Sequence, residues 1–183
     1  CYYRKCVTRI DEESSKEDIL FFSKECEAAG FPLKQILHSM IAEMTWKHYE
    51  GNKWQILERT NIQVENKEIN LHEIDSWSAQ DYNQFISTHY HLSLEPAVSL
   101  QNQSVNNFPL LIEKGKNTIH LRPTLFDFLA HRAIAYYQNP ENEITQASYA
   151  FEIKDSRAFS IVNQFCTTEF ETSDTTSKKF QVL

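Results

Sequence analysis

The chain has 183 residues, enough for one ordinary domain with a core of its own. Hydrophobic residues make up 41% and aromatics 13%, with 3 Gly and 5 Pro, a composition that excludes collagen-like and disordered classes and disfavours an all-β fold, whose tight turns ask for more glycine. The formal net charge of −7, with no basic stripe, excludes the electrostatic footprint of a nucleic-acid binder, and no run approaches the roughly 18 to 20 apolar residues of a membrane-spanning helix.

Tyr2, Tyr3, Cys6 and Ile10 fall near helical spacing with no cap before them, so the chain is expected to begin inside an element, as a piece of something larger. The opening CYYRKCVTRI has no long apolar run, so any export signal is expected upstream or already removed. Ser14 or Ser15 can cap a helix whose Ile19, Leu20, Phe22, Cys26 and Ala29 share one face, with Gly30 and Pro32 as its stop. From Leu33, the positions Ile36, Leu37, Met40, Ile41, Met44, Trp46 and Tyr49 carry the strongest amphipathic signal, running to Gly51-Asn52. The short Gly-Phe-Pro connection makes these two helices antiparallel neighbours.

Trp54, Ile56 and Leu57 read as a short following segment, and residues 61–71 as an extended loop. Asp75-Ser76 precede Trp77, and Tyr82, Phe85, Ile86, Tyr90 and Leu92 then predict a helix ending near Pro96. Residues 97–120 read as a long connection with at most short helical or extended pieces. The stretch LRPTLFDFLAHRAIAYY, residues 121–137, predicts a helix with Pro123 in its first turn and a stop at Asn139-Pro140. Ile144, Tyr149, Phe151 and Ile153 alternate as an extended segment would, Ser156 can cap a helix bearing Phe159 to Cys166, and residues 173–183 begin one more. The sum is all-α: an irregular, helical-repeat-like array of antiparallel hairpins with long loops, read as a single domain over residues 1–183. No repeat at the roughly 34-residue tetratricopeptide period is in register.

Candidate chemistry is sparse. Cys1, Cys6, Cys26 and Cys166 contain no Cys-x-x-Cys pair; buried or half-buried thiols are the simpler reading, and a Cys6–Cys26 bridge stays open. His89 and His91 point about 200° apart on a helix, so one metal would not take both, and interhelical polar contacts explain them better. Asp127 and His131 lie four apart on one helix face, as two members of a catalytic triad could, with Arg132 beside them. No Gly-x-Ser-x-Gly elbow or recognised cysteine nucleophile accompanies them, so a structural Asp-to-His or Asp-to-Arg link is expected instead. Glu43 and Glu50 read as a solvated stripe, and three glycines cannot build a phosphate loop of the usual form. Asn102-Gln-Ser104 matches the glycosylation acceptor pattern at chance level. No catalytic, cofactor-binding or metal residue is therefore assigned. Trp46, Trp54 and Trp77 are the aromatic positions that could line a binding groove or pack a core.

Two stretches together carry a resemblance. KQILHSMIAEMTWKHYEGNKWQILERT, residues 34–60, and LRPTLFDFLAHRAIAYYQN, residues 121–139, resemble the N-terminal region of bacterial alpha-2-macroglobulin-family proteins of the large Bacteroidetes type. The matching positions are Leu37, His38, Ser39, Ala42, Glu43, Trp46, Asn52, Lys53 and Trp54, then Leu121 to Ala133. The resemblance implies an exported, periplasmic or envelope-associated parent in which macroglobulin β-domains follow and trap endopeptidases, with this piece as a helical module whose partners are the parent's other domains or an envelope protein. The family's reactive thioester motif, Cys-x-Glu-Gln, is not met here, since Cys26-Glu27 is followed by Ala28-Ala29. A free-standing helical-repeat adaptor that binds a peptide or protein is the alternative reading.

Overall fold

The computed structural model describes residues 16–58, 69–109, 112, 121–139, 160–165, 167 and 168. The chain divides into two compact units, residues 1–133 and 134–183. Expectations that fall on residues 1–15, 59–68, 140–159 or 169–183, including the Ser14/Ser15 cap, the 141–155 strand and the last helix, lie outside the described residues.

In the first unit, α1 spans Lys16–Ala28 and buries Ile19, Phe22 and Cys26, an i, i+3, i+7 stripe. Glu17 and Asp18 sit in its first turn, where the helix dipole favours negative charge. Leu20 and Ala29 were expected on the same face, but at 100° per residue Leu20 lies off the stripe and both are only half-buried. α2 spans Leu33–Glu58, and its 26 residues extend about 39 Å. It does not stop at Gly51-Asn52: Asn52 Nδ2 donates to the His48 carbonyl at 2.8 Å inside the helix, and Ile56, 2% exposed, anchors the turn beyond. The roughly 1 kcal/mol that a mid-helix glycine costs is smaller than the 1.5–3 kcal/mol gained by burying an isoleucine.

α2 is not simply amphipathic. Gln35, Ile36, Leu37, Ser39, Met40, Ile41, Ala42, Met44, Thr45 and Trp46 are all buried, so its first half is covered nearly all round, as befits a central helix. Its buried hydroxyls are satisfied locally or by a neighbour; Thr45 Oγ1 donates to the Ile41 carbonyl at 2.8 Å.

A 3₁₀ helix over Leu71–Ser76, not foreseen in the sequence, leads into α3, Ala79–Ser93. Ser78 caps α3 through a capping box: its hydroxyl accepts from the Asp81 amide at 3.2 Å, and the Asp81 carboxylate accepts from the Ser78 amide at 2.9 Å. Tyr82, Ile86 and Tyr90 form the buried stripe, while Leu92 is exposed. Helix α3 runs antiparallel to α2, as the hydrogen bonds that pair rising with falling numbers show: Gln35 Nε2 to the Glu95 carbonyl just past α3, His38 with His89, and His48 with Tyr82. The hairpins α1–α2 and α2–α3 are the organising contacts of the unit.

Between α3 and the next long helix lie α4, Ala97–Gln101, and a 3₁₀ turn at Val105–Asn107, both anchored by buried Leu100 and Val105. An isolated antiparallel bridge joins Ser104 to Thr124, with the Leu125 amide donating to the Gln103 carbonyl at 2.7 Å. It is the nearest thing to extended structure among the described residues. α5, Leu125–Tyr137, follows. Pro123 stands outside this helix rather than in its first turn, because its carbonyl accepts from the Val105 amide at 3.1 Å in that same join. In the second unit the described residues include the end of α5 and a single-turn helix α6, Val162–Phe165, shorter than the helix expected from Ser156. The described residues are thus all-α and arranged as antiparallel hairpins, as the hydrophobic spacing predicted.

Candidate functional site

Between α2 and α3 runs a continuous seam of rings. Trp46 stacks on Tyr49 at 5.3 Å between centroids, Tyr49 meets Tyr82 at 5.4 Å, and Tyr82 meets the edge of Trp77 at 5.2 Å. Trp77 then contacts Phe85 at 5.0 Å, Phe85 contacts His89 at 4.3 Å, and His89 meets His38 at 5.0 Å. Such offset and edge-on ring pairs each add about 0.5–1.5 kcal/mol beyond their buried area. The polar handles are used internally: the Trp77 indole N–H donates to the Asn70 carbonyl at 3.0 Å, and the Tyr82 hydroxyl donates to the Ile74 carbonyl at 3.0 Å.

That second bond fixes a proton. With its hydrogen committed to Ile74, the Tyr82 oxygen can only accept from His48 Nδ1, 3.0 Å away, so neutral His48 carries its proton on Nδ1. Burial pushes the His48 pKa below its ordinary value. The His38 and His89 Nδ1 atoms face each other at 3.1 Å, so one ring donates and the other must accept as a neutral base. Desolvation lowers both, His89 to about 3, with the neighbouring His38 adding to the effect; at His38 the Lys34 ammonium adds to burial. These rings are neutral structural imidazoles near pH 7. His89 therefore finds its partner across the hairpin, the interhelical contact expected for the His89-Tyr-His91 segment. No group of three or more His, Cys, Asp or Glu among the described residues could hold a metal ion.

Asp127 does not orient His131. Its carboxylate accepts from the Thr124 amide at 3.0 Å and hydroxyl at 2.7 Å, while Thr124 Oγ1 accepts from the Asp127 amide at 3.1 Å. The acid is spent on closing the N-terminus of α5, where three backbone or hydroxyl hydrogens need acceptors, and His131 stands exposed one turn on. The expected link from Asp127 to His131 or Arg132 is thus replaced by a cap. Arg132 instead reaches α2: Nε donates to Ser39 Oγ at 2.8 Å, and Nη2 pairs with the Glu43 carboxylate. The guanidinium carbon lies 5.8 Å from the Phe128 ring centroid, one turn back on its own helix. Glu43 is therefore half-buried and paired, not part of a solvated stripe.

The three tryptophans separate. Trp46 and Trp77 are buried at 8% and 1% exposure, while Trp54 is 79% exposed on the last turns of α2. A groove lined by all three is not what the structure contains; only Trp54 is offered to solvent. Cys26 is a free, buried thiol that donates to the Lys34 carbonyl at 3.6 Å, and burial raises its pKa, which keeps it protonated and unreactive. Cys1, Cys6 and Cys166 lie outside the described residues.

The fold and these internally satisfied polar groups define an all-α helical-hairpin protein. Compared with protein-family models, curated proteins and solved structures, the chain matches none.

Proposed function

We propose that residues 1–183 are a non-catalytic helical scaffold and interaction module of an exported, envelope-associated bacterial alpha-2-macroglobulin-like endopeptidase inhibitor, needing no cofactor and docking against other domains of its parent chain. One observation carries the reading. The two stretches that bear the family resemblance meet through their own residues, Ser39 and Glu43 of the first gripping Arg132 of the second across 93 and 89 positions. Residues of both signatures are thereby committed to holding helices together. Asp127, the acid that a catalytic reading would need, is committed to a cap.

The test is the full-length parent incubated with a broad-specificity endopeptidase. The expected result is a retained protease that still cleaves a small chromogenic substrate but spares a protein substrate. A reading frame that ends soon after Leu183, or a parent that leaves protein proteolysis untouched, overturns the proposal. The exposure of Trp54 favours the second reading, a free-standing adaptor for a peptide or protein. A short reading frame together with partner binding that Trp54→Ala abolishes would select it.

A further inference from the structure

Across the α2–α3 hairpin, His38 and His89 turn the same ring nitrogen toward each other, Nδ1 to Nδ1 at 3.1 Å. In the metal-free protein a shared hydrogen bridges them. The same spacing also suits two ligands on one ion. An imidazole nitrogen binds zinc at about 2.0–2.1 Å, so two of them 3.1 Å apart subtend about 95–102° at an ion that both reach. That angle lies between the roughly 90° of square-planar or octahedral coordination and the roughly 109° of tetrahedral coordination.

Contacts other than the pair's own hydrogen bond hold the two helices in this register. One turn before His38, Gln35 Nε2 donates to the Glu95 carbonyl at 2.8 Å, and further along α2 His48 Nδ1 meets the Tyr82 hydroxyl at 3.0 Å. The Phe85 ring lies 4.3 Å from the His89 ring and backs it. Ligands set in place before the ion arrives spare it the cost of ordering them. Both histidines are half-buried rather than enclosed.

We propose that His38 and His89 form a two-histidine site for a divalent first-row transition ion, zinc or copper, which replaces the shared hydrogen and staples α2 to α3. Imidazole nitrogen suits these ions and not magnesium or calcium, which take oxygen ligands. To ligate through Nδ1 each neutral ring carries its proton on Nε2, so the ring that donates in the metal-free pair changes tautomer and no proton is lost overall. Among the described residues no third His, Cys, Asp or Glu completes the group, so water fills the remaining positions. Lys34, one turn before His38, acts on that ring electrostatically, and its ammonium opposes a cation.

The test titrates Zn²⁺ into the untagged 183-residue protein, its accessible thiols alkylated, by calorimetry, with Mg²⁺ as the counterpart. One-to-one binding of Zn²⁺ and none of Mg²⁺ is expected, with Cu²⁺ tighter than Zn²⁺. His38→Gln and His89→Gln should each weaken Zn²⁺ binding by at least the roughly tenfold that loss of even an outer partner costs a metal site. The double variant His72→Gln with His131→Gln, which removes two exposed imidazoles, should stay within about twofold. Lys34→Gln keeps both ligands and should tighten binding about twofold to fivefold, an outcome that does not depend on how well the histidine variants fold. Zn²⁺ should also raise the urea midpoint of the parent and of Lys34→Gln, and leave that of His89→Gln where it was. No Zn²⁺ binding by the parent overturns the proposal. So does binding that both His38→Gln and His89→Gln leave intact, or binding that Lys34→Gln weakens.

Discussion

The seam between α2 and α3 makes acid sensitivity a calculable property of one residue. His89 has a folded-state pKa of about 3 against 6.5 for an ordinary histidine, because burial desolvates its ring, which is packed against Phe85, and because the His38 ring faces it at 3.1 Å. A histidine with a lowered folded-state value destabilises the fold as pH falls, since the unfolded chain takes a proton that the folded chain refuses. The loss therefore begins as pH drops through about 6.5 and would level off only near 3. At about pH 5 the free-energy loss is 1.5 pH units at roughly 1.4 kcal/mol each, or about 2 kcal/mol from this group. Because the folded-state value lies far below pH 5, that figure is set by the unfolded chain. His38 and His48, also lowered, act in the same direction. Urea unfolding of the protein and of His89→Gln at about pH 7 and pH 5 measures it. The variant keeps a hydrogen-bonding side chain beside His38, and its drop in stability between the two pH values should be smaller than that of the parent by about 2 kcal/mol. An unchanged drop would refute the argument that buried neutral imidazoles govern the acid limb.

Other substitutions divide cap from surface and core from exposed ring. Asp127→Ala should cost about 1 kcal/mol through loss of the α5 cap, while His131→Ala stays within about 0.5 kcal/mol, both read from denaturant midpoints; a larger cost at His131 would contradict its exposed placement. Trp54→Phe should remove most of the acrylamide-quenchable, red-shifted tryptophan emission, leaving Trp46 and Trp77 shielded. Quenching that persists in that variant would show the seam to be open. Gly51 sits in the interior of α2 with nothing within 4 Å of where a Cβ would lie, so Gly51→Ala should raise stability by about 0.5–1 kcal/mol. A loss would mean that the helix breaks there, as its sequence suggested.

How much was legible depended on the range of the interaction. Helix positions followed from local spacing: Ile19, Phe22 and Cys26 on α1 and Tyr82, Ile86 and Tyr90 on α3 repeat at helical intervals. The Ser78–Asp81 and Thr124–Asp127 capping boxes are local too, since Ser-x-x-Asp and Thr-x-x-Asp each precede an apolar run. Asp127 was misjudged because its i, i+4 relation to His131 is equally visible, and sequence spacing alone does not say which partner a carboxylate takes. The continuation of α2 past Gly51 was hidden because glycine and asparagine signal a stop, while the burial of Ile56 that overrides them is tertiary. The pairs that define the site, His38 with His89 and Glu43 with Arg132, join residues 51 and 89 positions apart, and no local pattern marks them.

The scaffold reading rests on Arg132 as a cross-link between α5 and α2, and a double-mutant cycle on Glu43 and Arg132 tests it most directly. Glu43→Ala, Arg132→Ala and the double variant are unfolded in denaturant beside the parent. Both groups are about a third exposed, at 32% and 28%, so solvent screening holds the expected coupling to about 1 kcal/mol, above the few tenths of isolated surface pairs. Arg132→Ala should cost more than Glu43→Ala, because it also strips the buried Ser39 hydroxyl of its partner. Additive single effects, with Arg132→Ala close to neutral, would contradict the account and return Arg132 to the pool of residues free for another task.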